Sequence, residues 1–299
     1  MVENPPAATP AAPASAPGIN SPARAAGKFR FISYNVRNWL KMDRYVDRKL
    51  VKDAPKPDEE KTAVITLLAR HTPDAIGLCE IGTAEDLAEI QQLLKSAGID
   101  LPHSHFTGGA DPIRHLGFLS RYPITATGKP QHTDYQIHGK MFAWNRGVLD
   151  VTIDANGRPF HFLGAHLKSK REVQGGDEEE MRRAEARLLR DHANRILERN
   201  PDERLIVYGD FNDTRASVSG KNIMGNYGNA RYLTAIPAQD SAGTRWTYFW
   251  ALNDIYSRID FIAVSKALKP DTDFHAAKVL DDPEWGKASD HRPVLAIFK

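Results

Sequence analysis

Four short apolar runs in this sequence each end on a residue able to do chemistry. Phe31-Ile32-Ser33-Tyr34 leads into Asn35, Ile76-Gly77-Leu78-Cys79 into Glu80, and Phe162-Leu163-Gly164-Ala165 into His166. Leu205-Ile206-Val207-Tyr208-Gly209 leads into Asp210, with Phe211 and Asn212 behind it. A carboxylate or imidazole at the tip of a buried strand is costly unless it is paired or bound to a metal. Ligands also collect at such tips where strands run parallel. Two later runs have the opposite polarity: Arg258-Ile259-Asp260 and Ser289-Asp290-His291-Arg292 each open an apolar stretch. If those two strands run antiparallel to the first four, Asn35, Glu80, His166, Asp210, Asn212, Asp260, Asp290 and His291 meet at one rim. Each alone reads as a polar residue that ends a strand. Together they are harder to dismiss.

The chemistry of such a cluster follows from its residue types. Glu80 and Asp290 are hard oxygen ligands suited to Mg²⁺, with Mn²⁺ or Ca²⁺ as substitutes. Two histidines with no HExxH and a single cysteine argue against a closed zinc site. Asn35 and Asn212 are neutral donors for a phosphate oxygen. Asp260 can orient His291 by accepting its ring N–H. Asp210 or a histidine can activate water. A metal, neutral donors and a water-activating group together point to hydrolysis at phosphorus.

Cations flank the rim. Arg37, Lys41, Arg44, Arg48, Lys49 and Lys52 follow the first motif, and Lys168, Lys170 and Arg171 follow His166. Of these, Lys168, Lys170 and Arg37 are the candidates to hold substrate phosphate, weighed evenly against ordinary solvated loops. The run Trp246-Thr247-Tyr248-Phe249-Trp250 offers stacking surfaces for bases, although such runs more often pack inside a protein.

The elements that must position these residues are legible as texture. Strands are expected over 29–34, 74–79, 116–120, 147–153, 160–165, 204–209, 259–264 and 293–298. Helices are expected over 58–70, 84–96 and 178–199. In the third, Met181, Ala184, Leu188, Leu189, Ala193, Ile196 and Leu197 fall at helical spacing. Thr83 is the expected N-cap of the second helix and Gly98 its terminator. Early alternation of helix and strand, followed by strands and loops, suggests a mixed sheet system rather than a βαβ repeat. His103, His105 and His115 around Gly108-Gly109-Ala110-Asp111 are read as a polar loop, in preference to a second metal site. Cys79 reads as a small buried hydrophobe.

Composition sets the outer limits. In 299 residues, 40 Lys+Arg against 38 Asp+Glu give a net charge of +2, so nucleic acid would have to be gripped locally rather than by bulk charge. One cysteine excludes an intramolecular disulfide, a CxxC pair and an iron–sulfur cluster. Residues 1–27 carry six prolines and nine alanines and read as a disordered tether; residues 28–299 read as one catalytic domain. The tether slightly favours export after removal of a signal over a cytoplasmic location. No stretch is apolar enough to span a membrane, and no protein partner is inferred. The glycosylation sequon at Asn212 is accidental if Asn212 lines the site.

In the order Tyr34-Asn35, Glu80, Ala165-His166, Gly209-Asp210-Phe211-Asn212, Arg258-Ile259-Asp260 and Ser289-Asp290-His291, these motifs resemble the endonuclease/exonuclease/phosphatase superfamily. That superfamily includes DNase I-like nucleases, abasic-site endonucleases, inositol-polyphosphate 5-phosphatases and neutral sphingomyelinases. Leu119-Ser120-Arg121-Tyr122-Pro123-Ile124 and Arg146-Gly147 look like its connecting strands. The resemblance implies an α/β fold, a four-layered sandwich of two packed mixed sheets with helices outside. It implies Glu80 as the main metal ligand with Asp290 in or near the metal shell. Asp210 would position or deprotonate the attacking water, and Asn212 would hold the phosphate. His166 and His291 would stabilise the transition state, Asp260 would fix His291, and Asn35 would orient the carboxylates or the phosphate. The base among Asp210, His166 and His291 stays open. Tyr256-Ser257-Arg258-Ile259-Asp260 lacks the cysteine of the 5-phosphatases, and Gly209-Asp210-Phe211-Asn212-Asp213-Thr214 lacks their Tyr-Arg. His166-Leu167-Lys168-Ser169-Lys170 looks like bacterial extracellular nucleases. The expected activity is therefore a metal-dependent phosphodiester hydrolase, nuclease-like, acting on a phosphate ester that includes nucleic acid among its candidates. The alternatives are a phosphomonoesterase, a phospholipid or sphingomyelin phosphodiesterase, or a silent binding module.

Overall fold

A computed structural model describes residues 27–173 and 176–299. The tether expected over residues 1–27 falls almost entirely outside them. In chain order the elements are β1 (Phe29–Trp39), β2 (Met42–Val46), β3 (Lys49–Ala54), α1 (Asp58–Arg70), β4 (Ala75–Ile81), α2 (Ala84–Ser96), β5 (His103–Thr107), β6 (His115–Ser120), β7 (Ile124–Thr127), β8 (Asp134–Ile137) and β9 (Lys140–Ala143). They continue as β10 (Val148–Asp154), β11 (Pro159–His166), α3 (Glu178–Arg199), β12 (Leu205–Asp210), α4 (Val218–Met224), β13 (Thr234–Ala235), β14 (Tyr248–Trp250), β15 (Ile255–Ser257), β16 (Asp260–Val264), β17 (Lys278–Val279), α5 (Trp285–Ala288) and β18 (Val294–Phe298). The three expected helices have the expected bounds. Thr83 caps α2 through a reciprocal capping box with Asp86.

Two six-stranded mixed sheets carry the fold, in the orders β17-β18-β1-β4-β6-β5 and β13-β16-β12-β11-β10-β7. β1 runs parallel to β4 and antiparallel to β18, while β12 runs parallel to β11 and antiparallel to β16. The opposite polarity expected of the two late strands is therefore present.

The sheets pack face to face because each strand alternates. Phe29 and Phe31, Phe160 and Phe162, Ile206 and Tyr208, Ile262 and Val264, and Val294, Ala296 and Phe298 all point into one shared core. Burying each such large side chain contributes roughly 1.5–3 kcal/mol. The phenyl rings interlock there, with Phe29 stacked on Phe160 at 4.7 Å. Tyr208 crosses the core edge-on to Phe31 and fills the space left by Gly77 and Gly164, where a Cβ would lie 2.0 and 2.5 Å from its ring and hydroxyl. The other faces are covered by helices. Ile32, Ile76 and Leu78 lie under α1 and α2, and Leu163, Leu205 and Val207 under α3 and α4. Helix, sheet, sheet and helix make the four expected layers.

Between the second sheet and α3 lies a buried polar chain. Asp150 on β10 meets His161 Nε2 at 2.8 Å and His192 Nε2 at 2.6 Å, and His161 Nδ1 meets Glu203 at 2.9 Å. Period two places Asp150 on the opposite face from Leu149 and Val151, and so beneath the helix.

Within the stretch expected as a polar loop, His103–Thr107 forms the edge strand β5 and His115 opens the expected strand β6, while residues 108–114 remain a loop. His115 Nδ1 lies 2.6 Å from the Gly82 carbonyl, and its ring packs on Phe106. Alternation on an edge strand, with polar residues outward, is what made β5 look like a loop. Cys79 is a free, buried thiol whose pKa burial pushes up, as expected of a core residue.

Candidate active site

Period two continues the inner face of each sheet to the rim. Asn35 follows Phe31 and Ser33, His166 follows Phe162 and Gly164, Asp210 follows Ile206 and Tyr208, and Asp260 precedes Ile262. In register, His166 pairs with Asp210 and Asp210 with Asp260. Asn35 Nδ2 donates across the sandwich to Asp210 Oδ2 at 3.0 Å and lies 3.4 Å from Glu80 Oε1. His166 Nε2 and His291 Nε2 flank the same Asp210 oxygen at 3.4 and 3.7 Å. His291 Nδ1 lies 2.9 Å from Asp260 Oδ2. Asn212 N donates to Asp210 Oδ1 at 2.9 Å, and its amide donates to the Leu167 carbonyl. Asp290 sits beside Arg37, whose Nε is 3.9 Å away. Seven of the eight rim residues are therefore joined by direct contacts, and Asp290 reaches the cluster through Arg37, whose backbone N–H donates to Asn35.

Local backbone strain aims several of them. Glu80 has φ +67 at a bulge in β4, where pairing slips between Cys79 and Ile81. Without the bulge, alternation would send its side chain to the α1–α2 side with Leu78. Arg37, Asn38 and Asn212 also have φ between +51 and +55. The Arg37-Asn38 turn is pinned from outside: Lys56 Nζ donates to the Arg37 carbonyl, Arg44 to the Asn38 carbonyl, and Arg114 to the Asn38 side chain. The backbone N–H of Asn38 then donates to Glu80 Oε2 at 2.9 Å. Gly209 has φ +132, and a Cβ there would lie 1.9 Å from the Ala165 carbonyl. The β11–β12 approach that pairs His166 with Asp210 thus requires glycine.

The two histidines are set apart electrostatically. Burial lowers His166 well below the usual imidazole range, with Arg146 and His291 adding to the effect. Its Nδ1 is buried with no hydrogen-bond partner among the described residues. Burial also opposes charge on His291, but Asp260 and Asp210 outweigh it and push its pKa up to about 10. Burial, then Asp260, raises Asp210 above the ordinary carboxylate range. Two imidazoles of opposite protonation preference against one carboxylate suit proton transfer and charge stabilisation.

A divalent cation fits this donor set. Burial, with the like charge of Asp260, holds Asp210 up. Asp210, Asp260 and His291 offer ligand atoms within 4.8 Å of one another. His291 Nδ1 and Asp260 already satisfy each other there. Glu80 and Asp290 are only half-buried, offer oxygen alone and leave room for water, as a hard cation prefers.

Three cations were expected at the phosphate. Arg37 is exposed at the rim, and Lys170 lines a cavity with Arg171, Asn212, Tyr248 and Trp250. Lys168 is a correction: it is buried, and its ammonium donates to the Ser169 and Arg171 carbonyls. It shapes the loop after His166 instead of facing that rim. The aromatic run divides likewise. Trp246 stacks on Arg292 and packs on Trp285, Phe249 packs on Tyr256, and Tyr248 lies 4.7 Å from the His291 ring.

Sequence reasoning missed the hydroxyls that hold the site. Thr247 Oγ1 accepts the backbone N–H groups of Ile259 and Asp260 at 3.2 and 3.1 Å. Ser289 Oγ donates to the Asn35 carbonyl and accepts from His291 N. Nothing in their spacing signals this, because both act on backbone of distant strands. Thr247→Val should cost about 1–3 kcal/mol in urea unfolding, because it strands buried N–H groups. It should also lower turnover by displacing Asp260. Unchanged stability would show those groups to be satisfied otherwise.

Two packed mixed sheets flanked by helices, with the carboxylate–imidazole rim at their strand tips, are the DNase I-like fold. The sequence profile of the endonuclease/exonuclease/phosphatase family matches residues 33–291, and the chain belongs to that family. The family's chemistry is hydrolysis of phosphate esters. Comparison with curated proteins gives no match. Among solved structures, an endonuclease/exonuclease/phosphatase from Bacteroides vulgatus is similar at TM-score 0.65 and 19% identity, over 91% of this chain and 98% of that one. The human Nocturnin catalytic domain is similar at 0.60 and 20%, over 91% and 94%. Sphingomyelinase C from Streptomyces griseocarneus is similar at 0.59 and 15%, over 92% and 100%.

Proposed function

We propose that residues 28–299 form a divalent-metal-dependent phosphodiester hydrolase of nuclease type. The observation that carries it is Asp210, bridged to Asn35 across the two sheets and flanked by His166 and by the Asp260-paired His291. Glu80 and Asp290 would hold Mg²⁺ or Mn²⁺. When bound, the cation supplies positive charge to a phosphate oxygen. Asp210 orients the attacking water and takes its proton. The raised carboxyl and the Asn35 and Asn212 N–H groups keep it poised for that exchange. His291, kept charged by Asp260, donates to the oxygens on which negative charge builds. His166, kept neutral, adds a second ring N–H without repelling the cation. The Asn212 amide spends one N–H on Leu167 and keeps the other for phosphate.

A phospholipid head-group diester is the second reading. One feature favours it: the β14–β15 hairpin beside the site exposes Trp250, Leu252, Ile255 and Tyr256. A panel of plasmid, single-stranded DNA, RNA, sphingomyelin vesicles, bis-p-nitrophenyl phosphate and p-nitrophenyl phosphate separates the readings. Nucleic acids and the diester should be cleaved, activity should vanish in excess EDTA, and Mg²⁺ or Mn²⁺ should restore it. Full activity in EDTA would overturn the metal assignment, and cleavage of the monoester alone would overturn the diesterase.

A further inference from the structure

A large cleft lies away from the carboxylate rim, between α3, α4 and the loop after α4. It encloses about 750 Å³. Arg187, Arg190, Arg215, Lys221 and Arg231 line it against a single acid, Asp191. Arg187, Arg215 and Lys221 are exposed and make no ion pair among the described residues, while Arg231 pairs with Glu198 at the edge. Like charges that stay unpaired in a concave surface focus field and attract anions.

The floor of the cleft is built. Arg190 is fixed by the carbonyls of Ile223, Met224 and Arg231, at 3.2, 3.2 and 2.8 Å. Gly225, at φ +78, lets the guanidinium lie flat against the chain, since a Cβ would meet its Cζ at 2.6 Å. Burial, then Arg231, lowers the pKa of Arg190, the mark of a cation short of counter-charge. Asn194 lies on the same wall, and its Oδ1 is buried with no hydrogen-bond partner among the described residues. At the mouth, Tyr227 is 91% exposed and stands edge-on to Tyr232.

The cleft does not stand alone. A second cavity of about 310 Å³ shares Arg215 and Ala216 with it and adds Arg245 and Arg258. Arg245 and Arg215 both press on Arg258, which lies just before Asp260. Arg215 itself is three residues past Asn212. Positive charge therefore runs without a break from the base of β16 to the α3–α4 cleft.

We propose that this basic track binds the sugar-phosphate backbone of a nucleic-acid strand whose cleaved bond lies at the rim, with Tyr227 stacking an unpaired base. The inference rests on the nuclease reading for the position of the cleaved bond only. Cations spaced along a groove with an exposed aromatic at one end are the pattern of single-strand binding. A pocket for one free phosphate would need neither the length nor the tyrosine.

The test uses the full chain in an Asp210→Asn background, with binding of a labelled oligothymidylate followed by anisotropy across a salt series. Arg187→Gln, Arg215→Gln and Lys221→Gln together should weaken binding at least about tenfold and reduce the slope of log affinity on log salt by about 2. Tyr227→Ala alone should cost at least about fivefold with an unaltered slope. In the catalytically intact chain the triple variant should turn over bis-p-nitrophenyl phosphate as before, which also reports that it folds. Oligonucleotide affinity and slope unchanged in both variants would overturn the proposal. So would inorganic phosphate binding that the triple variant loses while oligonucleotide affinity stays, since that describes a single-phosphate pocket. If the intact enzyme cleaves no nucleic acid yet these substitutions weaken binding, the activity assignment falls and the track stands. If nucleic acid is cleaved and binding is unmoved, the track falls and the activity stands.

Discussion

Asp210→Asn is expected to lower phosphodiester hydrolysis by about 10³–10⁴-fold and to leave the melting temperature unchanged or higher. The loss follows from geometry. One Asp210 oxygen collects Asn35, His166 and His291, and the other takes the N–H of Asn212. An amide in its place can still accept from Asn212 but cannot take a proton from water. Stability should survive because burial and Asp260 raise the folded carboxyl above its unfolded value. A group shifted that way weakens the fold at every pH where it is ionised, so removing its charge relieves a penalty. Turnover within tenfold of the parent would remove Asp210 from the proton path.

The second large effect lies on the helix side of the second sheet. Asp150→Ala should cost about 3–5 kcal/mol in urea unfolding, because it leaves His161 and His192 without their shared carboxylate in a buried layer. The pH dependence carries the same signature. Burial opposes the Asp150 charge, but His161 and His192 outweigh it and hold the carboxyl at about 2. Its contribution is present above the unfolded value near 4 and fades as pH falls toward 2. Burial likewise opposes charge on His161, yet Asp150 and Glu203 raise it to about 9. That contribution is full below about pH 6.5 and is lost as pH rises through 9. These two contributions are therefore both full between about pH 4 and 6.5, and the alkaline decline should be smaller in His161→Gln, with the raised His291 supplying the remainder. A loss below about 1 kcal/mol in Asp150→Ala would mean that water or relaxation replaces the carboxylate.

The eight core strands and three long helices were legible because each carries an unbroken apolar rhythm. Their tips were legible too, since Asn35, Glu80, His166 and Asp210 each interrupt an apolar run with a group that must be paid back by contact. The hairpins β2–β3, β8–β9 and β14–β15 were not foreseen. β2–β3 and β14–β15 are mostly exposed, so no buried face imprints alternation on sequences such as Met42–Val46, and β8, which does alternate with Tyr135 and Ile137 buried, is only four residues long. The bulge that turns Glu80 inward is equally silent, because it depends on how β4 pairs with β6. Lys168 misled for a related reason. Its position after His166 is visible in the sequence, but the direction of its side chain is decided by carbonyls of its own loop.

Pairing of β1 with β18, from Phe29 opposite Phe298 to Ser33 opposite Val294, brings Asn35 against the Ser289–His291 segment. The centre is thus closed like a clasp, with one half made early in synthesis and the other very late. A nascent chain can bury much of both sheets and still lack His291 and Asp290. The rim is complete only once β18 has paired with β1.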